Sequence, residues 1–125
     1  MRQSVSSAAG LLAGFAGASA VILGAFGAHA LRGVLDERGT ELWHTAVNYH
    51  VWHALALCLA LFVLDAPHRR RAVIAFAIGI VLFSGSLYAL ALGAPRWFGA
   101  ITPLGGVAFI AGWLLLGWGA AKRSG

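Results

Sequence analysis

The sequence predicts an all-α integral membrane protein, a bundle of four antiparallel transmembrane helices formed by a single domain, residues 1–125. Two observations predict this fold class. Apolar residues make up 60% of the 125 residues and charged residues only 10%, whereas about 25% of residues are charged in an ordinary soluble domain. The 13 charged residues also leave uncharged runs of 29, 23, 24 and 25 residues. Each run exceeds the roughly 20 residues that a helix needs to cross the hydrocarbon core.

The first predicted helix covers residues 7–31. Arg2 precedes it, and Ala28-His29-Ala30 near its end has the small-x-small pattern of a signal-peptide cleavage site. The apolar stretch 8–28 is 21 residues long, which exceeds the roughly 7 to 15 residues of a signal peptide's apolar region. We therefore expect this segment to stay in the protein as a membrane helix.

The later helices are predicted over residues 41–64, 67–92 and 103–121. A polar residue that can cap a helix precedes each of them: Thr40, Asp65 and Thr102. Pro67 and Pro103 fit a first helical turn, where a missing N–H costs nothing. Gly33 and Gly93 follow the first and third helices, and glycine readily adopts the left-handed conformation that ends a helix.

The basic residues predict the orientation, because cytoplasmic loops retain Lys and Arg. Six lie on the side of the two termini: Arg2, Arg69, Arg70, Arg71, Lys122 and Arg123. Three lie on the opposite side: Arg32, Arg38 and Arg96. Both termini are therefore expected in the cytoplasm. The net charge of +5 does not indicate nucleic-acid binding, because the basic residues cluster at helix ends.

Small residues within the spans predict close helix contacts, since they let backbones approach without bulky side chains between them. The packing candidates are Gly10, Gly14, Gly24, Gly27, Gly85, Gly105, Gly106 and Gly112. They fit either a tightly packed bundle or an oligomer interface. Aromatic residues are predicted to anchor the depth of the bundle, with Trp43, Trp97 and Phe98 at the outer membrane boundary and Trp118 at the inner one.

Four strings carry a resemblance to a known family: GAFGAHAL (24–31), TAVNYHVWHALAL (45–57), GIVLFSGSLYALAL (79–92) and ITPLGGVAFIAGW (101–113). Together they resemble domain-of-unknown-function family 423, small multi-pass proteins of bacterial inner membranes with a eukaryotic relative called transmembrane protein 256. The resemblance spans all four helices and implies a topology and a cellular place, but no activity. His29 and His53 match the family pattern, whereas glutamine often stands at the position of His50.

Polar side chains within the spans are the candidates for function, since each needs a partner in hydrocarbon. The candidate ligand-binding residues are His29, Asn48, Tyr49, His50, His53, Ser84 and Ser86. On the second helix, His44, Asn48 and Trp52 share one face, and Tyr49, His50 and His53 share roughly the opposite face. We therefore expect this helix to be buried on both sides and the polar residues to form one cluster in the outer half of the membrane.

Three interpretations of this cluster stay open. The favoured one is hydrogen bonding across helices that fixes their register. In the second, His29 and His53, with His50 or Tyr49, bind haem, a metal ion or a quinone headgroup. In the third, the histidines relay protons or line a transport path.

Several classes of function lack their parts in this sequence. Proton-coupled cation export is disfavoured, because the spans hold no Asp or Glu. No catalytic constellation, glycine-rich phosphate loop or HExxH motif is present, so no enzyme activity is expected. Asp36, Glu37 and Glu41 alternate with Arg32 and Arg38, which favours surface ion pairs over a calcium or catalytic site.

The predicted function is therefore that of a non-enzymatic accessory or structural protein of the bacterial inner membrane. Its partners are the lipid bilayer and either further copies of itself or a larger membrane complex, with no nucleic acid. The alternative is a small-molecule, haem, metal or quinone binder, or a channel or transporter, built on the outer-half histidines. The identity of any cofactor is left open by the sequence.

Overall fold

The structure, a computed structural model, describes residues 6–124 and their side chains as far as Lys122. Arg2 and the side chain of Arg123, which entered the charge count, lie outside this part. The helices are α1 (Ser7–His29), α2 (Glu37–Val63), α3 (His68–Gly79), a π-helical turn (Ile80–Ser84), α4 (Gly85–Ala91), a 3-10 helix (Arg96–Ala100) and α5 (Thr102–Ser124). Within the described part, four segments are long and apolar enough to cross a membrane: 7–29, 37–63, 68–91 and 96–122. The predicted all-α, four-span architecture is confirmed.

Helix α2 lies at the centre of the bundle and contacts both α1 and the third span (α3, the π turn and α4). Along the α1–α2 contact, Ser19 meets His50 and Gly27 meets Trp43, so the two helices run in opposite directions. Helix α5 packs on α3 and the π turn. The core cluster forms where α2, α3 and α5 meet, and its most buried large side chains are Leu57 and Phe76.

Helix α1 is the peripheral helix of the bundle. Its buried residues are all alanines, namely Ala13, Ala16 and Ala20. Large apolar side chains such as Leu11, Phe15 and Val21 are exposed instead. The same holds on the outer faces of the other spans, for example at Leu55 and Leu114. Apolar side chains in such positions are solvated by lipid, which agrees with a membrane-embedded bundle.

The start of α2 differs from the prediction. The helix begins at Glu37 and not at residue 41, and its cap is Asp36 and not Thr40. The Asp36 carboxylate accepts the N–H of Gly39 at 2.6 Å, while the Thr40 hydroxyl donates to the Asp36 carbonyl at 2.9 Å. An aspartate cap with Glu37 in the first turn satisfies free N–H groups and complements the helix dipole. Residues 37–40 of the predicted loop 32–40 are therefore helical.

Two further predicted caps are wrong. Helix α3 begins at His68 after Pro67, with no side-chain cap, and Asp65 contributes its carbonyl, which accepts the N–H of Arg69 at 2.9 Å. Thr102 is already the first residue of α5. Its hydroxyl is paired with that of Ser86 at 2.6 Å.

The glycines predicted to end helices are confirmed. Gly33 and Gly93 have φ values of 78° and 105°, the left-handed region in which a side chain would be strained.

The predicted packing glycines divide into two groups. At Gly112 an added Cβ would lie 2.6 Å from Cδ1 of Phe76, and at Gly27 and Gly105 it would overlap the Trp43 indole and the Phe83 backbone. These three are close helix contacts, and Gly24 and Gly106 make ordinary contacts.

The other predicted packing glycines, Gly10, Gly14 and Gly85, have no atom within 4 Å of an added Cβ. Among the described residues these three make no close helix contact within the chain, and the other predicted use, an oligomer interface, stays a prediction. Close contacts also occur at two further glycines, where Gly79 meets Phe109 and Gly119 meets Leu64.

The aromatic residues also divide. Trp97 and Trp118 are largely exposed, as expected of residues at a membrane boundary. Trp43 is only 3% exposed, so its assignment to the outer aromatic belt is wrong. Its indole N–H donates to the Leu23 carbonyl at 2.9 Å, and its ring lies 4.7 Å from that of Tyr88. Trp43 thus packs α1 and α4 against α2.

Candidate functional site

Helix α2 carries two buried histidines one turn apart, His50 and His53, which are 4% and 5% exposed. Residues three apart on a helix differ by about 300° in direction, so the two rings point to adjacent sides of α2. His50 faces α1 and α4, and His53 faces α3 and α5. The structure therefore separates them into two distinct hydrogen-bonding sites.

His50 connects three helices. Its Nε2 lies 3.1 Å from the Ser19 hydroxyl of α1, and its Nδ1 lies 2.9 Å from the Tyr88 hydroxyl of α4. The Ser19 hydroxyl also reaches the Ala16 carbonyl at 3.1 Å. A continuous set of hydrogen bonds therefore runs from Tyr88 through His50 and Ser19 to the backbone of α1.

His53 sits in an aromatic enclosure. Its Nδ1 donates to the Tyr49 carbonyl at 2.7 Å, and its Nε2 accepts the indole N–H of Trp113 at 3.1 Å. Phe109 stacks on the imidazole with ring centroids 3.5 Å apart, and Phe76 lies 5.9 Å away. Both ring nitrogens are occupied by partners within the chain.

The third span places the two predicted serines by means of its π turn. Ser84, fully buried, donates to the Ala46 carbonyl of α2 at 2.8 Å. Ser86 reaches the Phe83 carbonyl at 2.9 Å and the Thr102 hydroxyl of α5. A π turn adds one residue to a helix and so rotates the residues after it, and such turns are frequent at functional sites. Here Ser84 and Tyr88 face α2 while Ser86 faces α5.

A cavity of about 350 Å³ lies between α1 and the third span. Its walls are apolar apart from Ser19, His50 and Tyr88. The residues at its mouth, Leu12, Phe15 and Val81, are exposed, so the cavity opens on the lipid-facing surface. Gly85 lines the cavity without a neighbour, which makes it a residue that opens space and not one that packs helices. We call this cavity the lateral groove.

Not all predicted site residues belong to these two networks. His29 is exposed at the end of α1. Ser19 marks the level of His50 on α1, and His29 lies ten residues further along this helix. This separation is about 15 Å along the helix axis. Asn48 is exposed as well. The polar residues therefore do not form the single cluster that was expected.

The expected burial of α2 on both sides is also wrong. His44, Asn48 and Trp52, the face opposite His50 and His53, are all exposed, Trp52 by 52%.

Three partners were missed by sequence reasoning: Ser19, Thr102 and Trp113. Ser19 stands directly before Ala20, between the packing candidates Gly14 and Gly24 of the first helix, and this position was the available signal. Nothing in the sequence distinguishes Trp113 from the boundary tryptophans. Among the residues that the structure describes, no group of three or more His, Cys, Asp or Glu is placed to hold a metal ion.

Comparison with known proteins places the chain in a family. Residues 23–106, most of the chain, match the family described as "Protein of unknown function (DUF423)". The chain belongs to this family. The DUF423 match includes α2, the third span and all four polar residues His50, His53, Ser84 and Ser86. The resemblance seen in the four sequence strings is confirmed.

Relatives of the chain are named as membrane proteins. The chain is 48% identical over 108 residues to the UPF0382 membrane protein YwdK of Bacillus subtilis, covering 82% of this chain and 87% of the relative. It is 42% identical over 118 residues to the UPF0382 inner membrane protein YgdD of Escherichia coli, covering 90% and 88%. No solved structure matches the chain. The chain is thus a multi-pass membrane protein of a family without an assigned activity.

Proposed function

We propose that this protein is a non-enzymatic accessory or structural protein of the bacterial inner membrane, with both termini in the cytoplasm. One observation carries the proposal: the four buried polar residues of the spans, His50, His53, Ser84 and Ser86, all have hydrogen-bond partners on the chain itself. Polar groups in this arrangement connect helices and set their register. The chemistry available inside the membrane is therefore used for assembly of the bundle.

The orientation rests on the charge distribution. Arg69, Arg70 and Arg71 follow directly on the start of α3, and Lys122 lies near the end of α5, on the same side of the bundle. The name of the Escherichia coli relative supports an inner-membrane location. Reporter domains fused at the C-terminus and in the 93–95 turn should give cytoplasmic and periplasmic signals respectively. The reverse pattern would overturn the orientation.

The accessory role is tested on protein extracted mildly from its own membranes. Native mass spectrometry, an absorption spectrum and metal analysis should show the chain in a defined complex, with copies of itself or with another membrane protein, and without a stoichiometric chromophore or metal. A stoichiometric haem, metal ion or quinone would overturn this proposal and favour the second candidate function.

The second candidate is binding of a membrane-dissolved small molecule in the lateral groove. The groove is in the size range of small-molecule sites, and it combines apolar walls with a few convergent polar groups. The Ser19 hydroxyl donates to the Ala16 carbonyl, so Nε2 of His50 donates to Ser19 and Nδ1 accepts the Tyr88 hydroxyl. A carbonyl in the groove, such as that of a quinone headgroup, would compete with Nδ1 of His50 for the Tyr88 hydroxyl proton.

This binding role is tested with Tyr88→Phe, which removes the hydroxyl and keeps the ring. Binding of a lipophilic quinone, followed by fluorescence quenching in detergent, should weaken about tenfold for the loss of one hydrogen bond. Trp118→Phe, at an exposed ring far along α5, is the matched control. Equal affinities in wild type and Tyr88→Phe would remove the groove from consideration.

A further inference from the structure

A second cavity, of about 560 Å³, lies at the opposite end of the bundle from the cytoplasmic arginines. Its walls come from the first turns of α2, from the end of α4 and from the 3-10 helix. The lining residues are Arg38, Leu42, Leu90, Ala94, Arg96 and Gly99. We call it the arginine cavity. It shares no lining residue with the lateral groove and lies outside the polar networks of His50 and His53.

The two arginines reach this cavity from separate elements. Arg38 belongs to the first turn of α2, and Arg96 begins the 3-10 helix after Pro95. Both elements adjoin the end of α4, because the 3-10 helix packs against α4 and Gly39 lets the first turn of α2 approach it. A Cβ on Gly39 would lie 3.3 Å from the Ala91 carbonyl oxygen. The fold therefore places two positive charges, 58 positions apart in sequence, on one cavity.

Neither arginine is in an ion pair within the part of the chain that the structure describes. The carboxylates nearest in sequence, Asp36, Glu37 and Glu41, were expected to form surface ion pairs with the arginines. In residues 6–122, no carboxylate lies within ion-pair distance of either Arg38 or Arg96, so that expectation is wrong for Arg38. Asp36 is engaged with the Gly39 N–H, and no acidic residue lines the cavity.

The surroundings indicate the depth of the site in the membrane. Trp97 and Phe98, with ring centroids 4.5 Å apart, stand next to Arg96 in the 3-10 helix. Exposed tryptophan at the end of a span lies at the level of the lipid headgroups. The remaining walls, Leu42 and Leu90 among them, are apolar. The cavity thus combines a cationic part at headgroup depth with an apolar part toward the bilayer.

We propose that the arginine cavity binds the phosphate of an anionic phospholipid. Guanidinium groups form paired hydrogen bonds with phosphate oxygens, a geometry that lysine does not offer. The lipid's negative charge complements the two unpaired arginines, and its glycerol and upper acyl carbons fit against Leu42 and Leu90. A free anion would satisfy the arginines but would leave these apolar walls without a partner.

The test uses the full chain in nanodiscs of phosphatidylcholine containing a fixed fraction of phosphatidylglycerol. Native mass spectrometry of the released protein gives the ratio of retained phosphatidylglycerol to phosphatidylcholine. Arg38→Gln and Arg96→Gln should each lower this ratio about fivefold, the effect expected of one basic residue near a headgroup. Arg32→Gln is the matched control, since Arg32 lies on the same side of the membrane and outside the cavity.

Circular dichroism and thermal unfolding in detergent establish that each variant is folded. A lower phosphatidylglycerol ratio in Arg38→Gln and Arg96→Gln, with an unchanged ratio in Arg32→Gln, supports a defined site. An equal fall in all three variants would mean general attraction to charged lipid and would overturn the proposal, as would unchanged ratios. A final arm adds inorganic phosphate at constant ionic strength. If inorganic phosphate displaces phosphatidylglycerol although the ionic strength is constant, the cavity binds a free anion and not a lipid.

Discussion

Trp113 of α5 donates its indole N–H to Nε2 of His53 in α2 at 3.1 Å, and this hydrogen bond sets the protonation of a buried histidine. Because Nδ1 of the same ring donates to the Tyr49 carbonyl, the proton is on Nδ1 and the ring is neutral. A protonated imidazole would direct an N–H against the indole N–H. His53 therefore links α2 to α5 through a hydrogen bond, beside its stacking contact with Phe109.

Removing this link should destabilise the bundle measurably. His53→Ala is expected to lower the free energy of unfolding by about 2 to 4 kcal/mol, since a buried ring and its hydrogen bonds are lost together. Trp113→Phe, which removes the indole N–H and keeps a smaller aromatic ring, should cost about 1 kcal/mol. Reversible unfolding in mixed detergent and SDS micelles measures both.

The pair also allows a double-mutant cycle. Trp113→Phe should cost much less in the His53→Ala background than in the wild type, because its partner is already absent. His29→Ala, at an exposed position, serves as the control and should leave stability nearly unchanged. Additive effects at His53 and Trp113 would show that the hydrogen bond contributes nothing to stability.

Gly105→Ala should destabilise the contact between α5 and the π turn. A Cβ at this position would overlap the backbone nitrogen and Cα of Phe83, which cannot move as a side-chain end can. We expect a loss of about 1 to 3 kcal/mol, the usual cost of overpacking. Gly117→Ala makes the same change in the same helix where nothing lies within 4 Å. It should be neutral, and equal losses in the two variants would contradict the close approach.

Trp43→Phe should weaken the attachment of α1. The substitution keeps an aromatic ring but removes the 2.9 Å hydrogen bond to the Leu23 carbonyl. A loss of about 1 kcal/mol is expected. It should be accompanied by faster proteolysis in the 30–36 turn, because α1 contributes little buried surface of its own. Trp118→Phe is the exposed counterpart, and a similar loss there would show that the effect is not due to the Trp43 bond.

His50→Gln should be tolerated better than His50→Leu. An amide can accept from one neighbouring hydroxyl and donate to the other, so it can bridge Ser19 and Tyr88 as the imidazole does. Leucine has no polar atom for this role and leaves the Tyr88 hydroxyl without its partner, which should cost about 1 to 3 kcal/mol. Unfolding in SDS compares the two variants. Equal stability would contradict a bridging role for position 50.

The spans could be predicted from sequence because the cost of burying charge in lipid is large and depends only on composition. The start of α2 could not be predicted, since both Asp36 and Thr40 are able to cap a helix. The residues between them are also compatible with a helical turn. The burial of Trp43 was equally hidden, because an indole suits a membrane boundary as well as a helix interface. Its actual position depends on Gly27, which leaves room for the ring on the neighbouring helix.

Four buried polar members of the candidate site were predicted, whereas its arrangement was not. His50, His53, Ser84 and Ser86 are all engaged in hydrogen bonds between or within helices, as polar residues in lipid must be. Their division into two networks depends on which side of α2 each neighbouring helix occupies. Short connections do not determine the arrangement of the helices around α2. The partners Ser19 and Trp113 can be identified only once this arrangement is known.

Because of the π turn at Ile80–Ser84, the direction in which the side chains of the outer half of the third span point depends on the number of residues in the turn. The N–H of Gly85 bonds to the Ile80 carbonyl, five residues back, so this turn accommodates one residue more than a regular helix would. Deleting a single residue there would restore an ordinary helix and turn the outer half of the span by about 100°. Tyr88 would then leave His50 and the lateral groove. The extra residue thus sets the rotation between the two halves of one span. The inner half packs on α5, and the outer half packs on α2.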